Sequence, residues 1–328
     1  MSSLPCHTCS DGVLGKASMQ CFPEFVANPQ TSRRSHACTR QSSTAGEPMV
    51  GRAGMTHLWV LIEHPGPWPA SAPDDVLPVA LTEKIYAAQG RIRLVVIRRP
   101  RNRRVLTPLC VLAWTDGTRQ WMREGSVDRY EDLSVLPFES MATGVEPDFG
   151  RSRTEPLFAV CTHGKKDACC AELGRPVVSA LNAAQIADVW ECSHIGGDRF
   201  AANMIAWPAA VYFSRLDGNS AIDAAEKYQA GELELLHLRG RAALSQAAQA
   251  AEHAVRRVTG IVATDALESV TESVDGEHTT VDLRLEARDF RVVVRPGSPG
   301  QPFRHDCGSG GTVEWNGWNV EHLHEQSH

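Results

Sequence analysis

Residues 156–170 read PLFAVCTHGKKDACC, and residues 188–203 read DVWECSHIGGDRFAAN. The first stretch opens with an apolar run at 156–161, the length of a buried strand. His163, Gly164 and two lysines interrupt it. A helix is then expected over 167–184. Pro176 falls inside that helix, so a kink or break is expected there. The second stretch is another strand, 188–193, followed by a loop at Gly196-Gly197. Residues 202–207 and 210–215 read as a strand pair around Pro208, and 222–230 as a helix. The order is β-α-β-loop-β-β-α. Loops that leave the same end of a parallel strand pair converge on one site.

Working upstream, 59–63 (WVLIE) is a strand and HPGPWP a run of turn formers. A helix follows over 77–89, with Gly90 at its C-terminal cap. Strands are expected at 92–97 and 105–114, then at 118–123 after an Asp116-Gly117 hairpin signal, with 130–138 packing across them. Residues 49–148 thus form a small N-terminal α/β domain, 146–155 a linker, and 149–235 a second α/β domain of similar element order. That similarity admits a diverged duplication. In the remaining 236–328, an alanine-rich helix over 241–258 places Leu244, Ala248, Ala251 and Val255 on one face. A hairpin (281–286 and 290–295) and a flexible, Gly- and His-rich tail ending near His322 and His324 close the chain. Residues 1–48 are polar, rich in Ser and Thr, and expected to be a disordered extension. Met49 and Met55 lie just ahead of the first strand, which leaves a later start open.

The chain has 328 residues, a formal net charge of −6 and a pI near 6.1. That acidic balance argues against a general nucleic-acid binder. No apolar run approaches the roughly 18 residues of a membrane span, and the N-terminus has no signal-peptide core, so a cytoplasmic protein with no membrane partner is expected. Ten cysteines are too sparse for a disulfide scaffold. In a reducing compartment, clustered thiols are metal ligands or redox groups more often than bridges.

Cys161 and Cys170 offer two soft thiolates from the end of a strand and the start of a helix. His194 offers an imidazole from the next loop. Gly196 and Gly197 let the backbone pass close to a bulky cofactor, and the N–H groups at the start of the 167–184 helix favour thiolates. Four such ligands are what an iron–sulfur cluster or a closed zinc site requires. The plainer readings stand beside these. Cys169 and Cys110 read as packing, and His163 as either a supporting donor or a solvated loop residue. Asp198-Arg199 could be a local ion pair. Cys6, Cys9, Cys21 and Cys38 could form a zinc knuckle, but a polar tail is the simpler reading, and Cys307 has no assigned role. The basic stretch 91–104 reads first as a solvated strand edge and second as a docking patch for an acidic redox partner.

The motifs CTHGKKDACC, WECSHIGGDRFAAN and WVLIEHPGPW, with GEPMVGRA (46–53) and RGRAALSQAAQAAEHAVR (239–256), resemble the sucrase/ferredoxin-like family. The resemblance implies a thioredoxin-like ferredoxin domain over 149–235 with a [2Fe–2S] cluster, and hence one-electron transfer to an unknown partner protein rather than enzyme activity. No carboxylate pair suited to glycoside hydrolysis is apparent. The family's ligands are a Cys-x8-Cys pair and a His-x3-His pair. Cys161, Cys170 and His194 match, but Asp198 occupies the second histidine position. Three readings follow: Asp198 is the fourth ligand, Cys192 replaces it, or the cluster is absent. The alternative function is a zinc-stabilised or cofactor-free binding or scaffold protein.

Overall fold

The computed structural model describes residues 37–100, 104–304, 306–308 and 311–326. The proposed knuckle cysteines Cys6, Cys9 and Cys21 lie outside these residues. A short helix, α1 (Cys38–Thr44), precedes the first strand with Cys38, Thr39 and Ser42 buried. The ordered fold therefore begins upstream of Met49, inside the stretch expected to be disordered.

The N-terminal half runs β1 (Leu58–Glu63), α2 (Val79–Ala87), β2 (Ile92–Arg98), β3 (Leu109–Thr115), β4 (Gln120–Ser126), a 3-10 turn at Tyr130–Val135 and α3 (Phe138–Ala142). The expected linker contributes a two-residue strand, β5 (Arg151–Ser152), that pairs with β4. The second half runs β6 (Leu157–Cys161), α4 (Ala168–Ala183), β7 (Val189–Cys192), β8 (Met204–Trp207), β9 (Val211–Phe213) and α5 (Gly218–Gln229). Helix α4 continues through Pro176 without a break. A further strand, β10 (Leu238–Arg241), then pairs with β9.

All ten strands form one sheet in the order β10-β9-β8-β6-β7-β2-β1-β3-β4-β5. In each half the first two strands are parallel and the next two antiparallel: β7-β6-β8-β9 repeats β2-β1-β3-β4 in order and direction. The second half has the strand order of a thioredoxin-like fold, and the first half is a second small α/β unit on the same plan. The two meet where their equivalent strands pair antiparallel, Ile97 opposite Cys192 and Arg98 opposite Glu191.

Strand alternation then sorts the core. One face carries a continuous apolar layer across both halves, from Trp59, Val95 and Val111 to Ala159, Cys192 and Trp207. The other face packs two clusters, one under α2 and α3 and one under α4 and α5.

Helix α6 (Gln246–Thr259) follows with a Ser245 cap. Its Leu244–Ala248–Ala251–Val255 face packs as expected, on a second sheet of β11 (Leu267–Asp275), β12 (His278–Leu285), β13 (Arg288–Pro296) and β16 (Trp318–Gln326). The expected hairpin is β12–β13. The segment expected to be a flexible tail is β16, paired along β13 with Leu323 buried, and it includes His322 and His324. Its mostly polar sequence hides a strand that buries little of itself. A two-stranded piece, β14 (Phe303–Arg304) with β15 (Thr312–Val313), precedes it. Among the described residues no helix is long and apolar enough to cross a membrane.

Candidate metal centre

Cys161 is the last residue of β6, and Cys170 lies in the first turn of α4. Asp167 caps that helix, and the Cys170 N–H donates to the Asp167 carbonyl at 3.2 Å. Gly174, one turn on, lets α4 press against β6, since a Cβ there would collide with the Cys161 carbonyl. The two thiols are thereby brought together, both 1% exposed.

His194 arrives from the loop after β7. Its Nδ1 lies 4.0 Å from the Cys170 sulfur, and the donor atoms of Cys161, Cys170 and His194 all fall within 4.8 Å of one another. Asp198 stands on the other side of the imidazole, with Oδ1 3.1 Å from Nε2. It opens a 3-10 turn, Asp198–Phe200, and Arg199 pairs with Glu47 instead of with it. Cys192 faces Cys161 across the β6–β7 register, but its side chain belongs to the core layer and is not among the grouped donors.

The loop that presents His194 and Asp198 is held at four successive carbonyls, each by a different side chain. Arg93 of β2 donates to the His194 carbonyl at 3.2 Å and Tyr212 of β9 to that of Ile195 at 3.0 Å. Arg239 of β10 donates to the Gly196 carbonyl at 3.1 Å, and Asn203 to that of Gly197 at 2.8 Å. Gly196 and Gly197 have φ of +86° and +77°, a region that L side chains avoid. What packs against Gly197 is the Arg239 guanidinium, so the glycine pair is required by this chain's own backbone and by that arginine.

His163 is buried and supports the loop from behind. Its Nδ1 accepts the His194 N–H at 3.2 Å, so Nε2 carries the proton and donates to the Pro69 carbonyl at 2.8 Å. Burial pulls its pKa down, which keeps this neutral form. Pro69 and Trp68, which lies edge-on to His163 at 5.9 Å, come from the HPGPWP turn. The first half thus closes over the site in the second.

Sequence reasoning missed Arg93, Tyr212 and Arg239 as supports. Arg239 lay inside a quoted motif, but nothing local says that it reaches the 194–198 loop. Two further arginines of the basic stretch have partners within the chain, while Arg91 and Arg104 are exposed and Arg101 and Arg103 lie outside the described residues. Arg98 pairs with Glu191 at 2.5 Å and stacks over Trp68, while Arg99 pairs with Glu63 at 3.0 Å and covers Trp190.

Charge in the site is uneven. The hydrogen bond from Cys170 holds the Cys161 thiol well below the usual range against the effect of burial, with His194 adding to it, whereas Cys170 is pushed up. Burial alone would lower His194, but its contact with Cys161 and the charges of Cys161 and Asp198 outweigh that and raise it. The arrangement is a pair of buried sulfurs facing an imidazole–carboxylate pair, with Arg93 and Arg239 behind the loop. Such a set can take up a cation or a thiolate-bound cluster.

Comparison with known proteins gives one match: the family model described as sucrase/ferredoxin-like covers residues 49–227. No curated protein and no solved structure matches the chain. The match spans β1 to β9 of the large sheet and Cys161, Cys170, His194 and Asp198, and the chain belongs to the sucrase/ferredoxin-like family.

Proposed function

We propose that the protein is a one-electron carrier with a [2Fe–2S] cluster held by Cys161 and Cys170 on one side and His194 and Asp198 on the other. The observation that carries this is the two-and-two donor set. His194 Nε2 and Asp198 Oδ1 are 3.1 Å apart. Two donors bonded at about 2.0 Å to one tetrahedral ion lie roughly 3.3 Å apart. His194 links the two pairs, its Nδ1 toward Cys170 and its Nε2 toward Asp198.

When bound, the cluster supplies a reversible one-electron couple. The chain's own groups do the rest. The α4 N-terminus and the paired arginines offset negative charge, and the carbonyl-bound loop fixes His194 and Asp198 without a rearrangement. The histidine side chain keeps 20% of its exposure while both cysteines are buried, so exchange with a partner protein would occur at the imidazole edge. A cytoplasmic setting, in which these thiols stay reduced, belongs to this reading, as does the lack of enzymatic activity.

A second reading has one observation in its favour. The mutual 4.8 Å spacing of Cys161, Cys170 and His194 also suits a single zinc ion, which would make the site structural. Anaerobic purification followed by absorption spectroscopy and iron and sulfide analysis separates the two. The first reading expects a reddish-brown protein with two irons and two sulfides per chain, lost in Cys161→Ser. A colourless protein whose only metal is zinc would overturn it.

A further inference from the structure

Three other cysteines converge next to this centre. Cys38 opens α1, Cys169 lies in the first turn of α4, and Cys307 follows β14. Their sulfurs form a triangle: Cys38 to Cys169 3.7 Å, Cys38 to Cys307 3.6 Å, Cys169 to Cys307 3.2 Å. The Asp167 carboxylate closes the fourth side, its oxygens 3.7 and 3.9 Å from the Cys38 sulfur. It is fixed there by accepting the N–H groups of Cys169 and Cys307, each at 2.7 Å. Cys38, Asp167 and Cys169 are buried, and all three thiols are unbridged.

These distances select the chemistry. Two thiolates bonded at about 2.3 Å to one tetrahedral ion lie roughly 3.8 Å apart, whereas a disulfide draws its sulfurs to about 2.05 Å. Three cysteines and a carboxylate around one point are a closed four-donor set, which marks a structural site. Thiolate softness and tetrahedral spacing favour zinc over magnesium or calcium. Cys38 and Cys307 also lie outside the matched residues 49–227, so the site belongs to this chain beyond the family core.

We propose that Cys38, Cys169, Cys307 and Asp167 bind one zinc ion that clamps the segments around α1 and β14 to the start of α4. The ion would close two chain loops of well over a hundred residues, where cross-links stabilise most. The proposal shares no donor with the electron-transfer centre and does not depend on it.

The test is elemental analysis of the full-length protein and of three variants. Cys161→Ser is expected to retain one zinc per chain. Cys38→Ser and Cys307→Ser are each expected to reduce that zinc to near none while the iron content stays that of the parent. Cobalt supplied to chelator-treated Cys161→Ser should give the sulfur-to-cobalt charge-transfer absorption of a three-thiolate site, absent when Cys307→Ser is added to it. If Cys38→Ser does not fold, the zinc retained by Cys161→Ser and the cobalt spectrum of that variant still decide. Zinc that is absent from Cys161→Ser, or unchanged in both Cys38→Ser and Cys307→Ser, would overturn the proposal. So would a Cys169–Cys307 disulfide in non-reduced peptide maps. Loss of iron from the parent with zinc still bound would sink the cluster reading alone.

Discussion

Replacing Gly197 by alanine tests whether the loop carrying His194 and Asp198 is held as described. Gly197 sits at φ +77°, and a Cβ built there would lie 2.6 Å from Cζ and Nη2 of Arg239, with Nη1 closer still. The left-handed backbone alone costs an alanine about 1–2 kcal/mol. The clash adds to this because the arginine has nowhere to go. It is buried, and its guanidinium donates to the Arg52 carbonyl at 2.9 and 2.5 Å and to that of Gly196 at 3.1 Å. Desolvation pulls its pKa down to about 10, but it remains charged at neutral pH. Hydrogen bonds from a charged donor contribute about 1.5–3 kcal/mol each, and displacement would weaken one or two of them. With the backbone cost, the expected total lies between about 2.5 kcal/mol for one bond lost and about 8 kcal/mol for two.

Gly196 provides the control. Its φ of +86° is as demanding, but the nearest atom to an added Cβ is Arg93 Nη2 at 3.7 Å. Gly196→Ala should therefore cost only the backbone term, about 1–2 kcal/mol. Gly231→Ala, with φ +83° and nothing within 4 Å, should match it. Urea unfolding of the three variants, compared at constant m, reads the difference. If Gly197→Ala falls within about 0.5 kcal/mol of the two controls, a resolution that such curves reach, then Arg239 is not the clamp on this loop.

Other perturbations follow from the same contacts. Glu252 is fully buried between Arg241 at 3.2 Å and Arg256 at 3.0 Å, so Glu252→Ala leaves two buried cations and should cost about 3–5 kcal/mol; a loss under about 1 kcal/mol in urea would refute the pairing. His253 is held by burial at a pKa of about 4. Since the unfolded chain binds this proton near pH 6.5 and the folded one does not, full stability should be present above pH 6.5 and fall as pH drops toward 4, by up to about 3 kcal/mol. His253→Gln should flatten that part of the urea-midpoint profile relative to the parent, and parallel profiles would count against it. Asp198→Asn keeps the shape but removes the charge beside His194 Nε2. As a proposed ligand loses its charge, the variant should give up its metal to a chelator more readily than the parent, and undiminished retention would remove Asp198 from the site.

The two α/β halves and most of their strands were legible because alternation and turn residues are local signals. That the halves share one sheet was not, because the junction is two residue pairs between strand ends nearly a hundred positions apart. Strand β16 was hidden for a different reason: only Leu323 of its nine residues is buried, so its pattern is that of a polar tail. In the candidate site, Cys161, Cys170 and His194 stood out in the sequence because they lie at strand and helix ends within one contiguous unit, and the structure brings their donor atoms within 4.8 Å of one another. Arg93, Tyr212 and Arg239 act across the sheet, and no spacing rule reaches them.

The cysteine pair 169–170 shows how two adjacent residues can serve different surroundings. Successive residues on an α-helix point about 100° apart, so two neighbours in the first turn of α4 serve different surroundings. Cys170 turns to the layer containing Cys161 and Cys192, and Cys169 to the cluster containing Cys38. Reading Cys169 as packing was half right, since it is buried, but its neighbours there are two thiols and a carboxylate. Four ionisable donors at that spacing repel one another if all are charged, and a helix N-terminus offsets only about half a charge. A divalent cation offsets two charges and has the geometry to hold all four donors. The same helix end then borders both proposed sites, with Asp167 and Cys169 in one donor group and Cys170 in the other. The arginines that balance the second centre, Arg93 and Arg239, come from the strands on its far side.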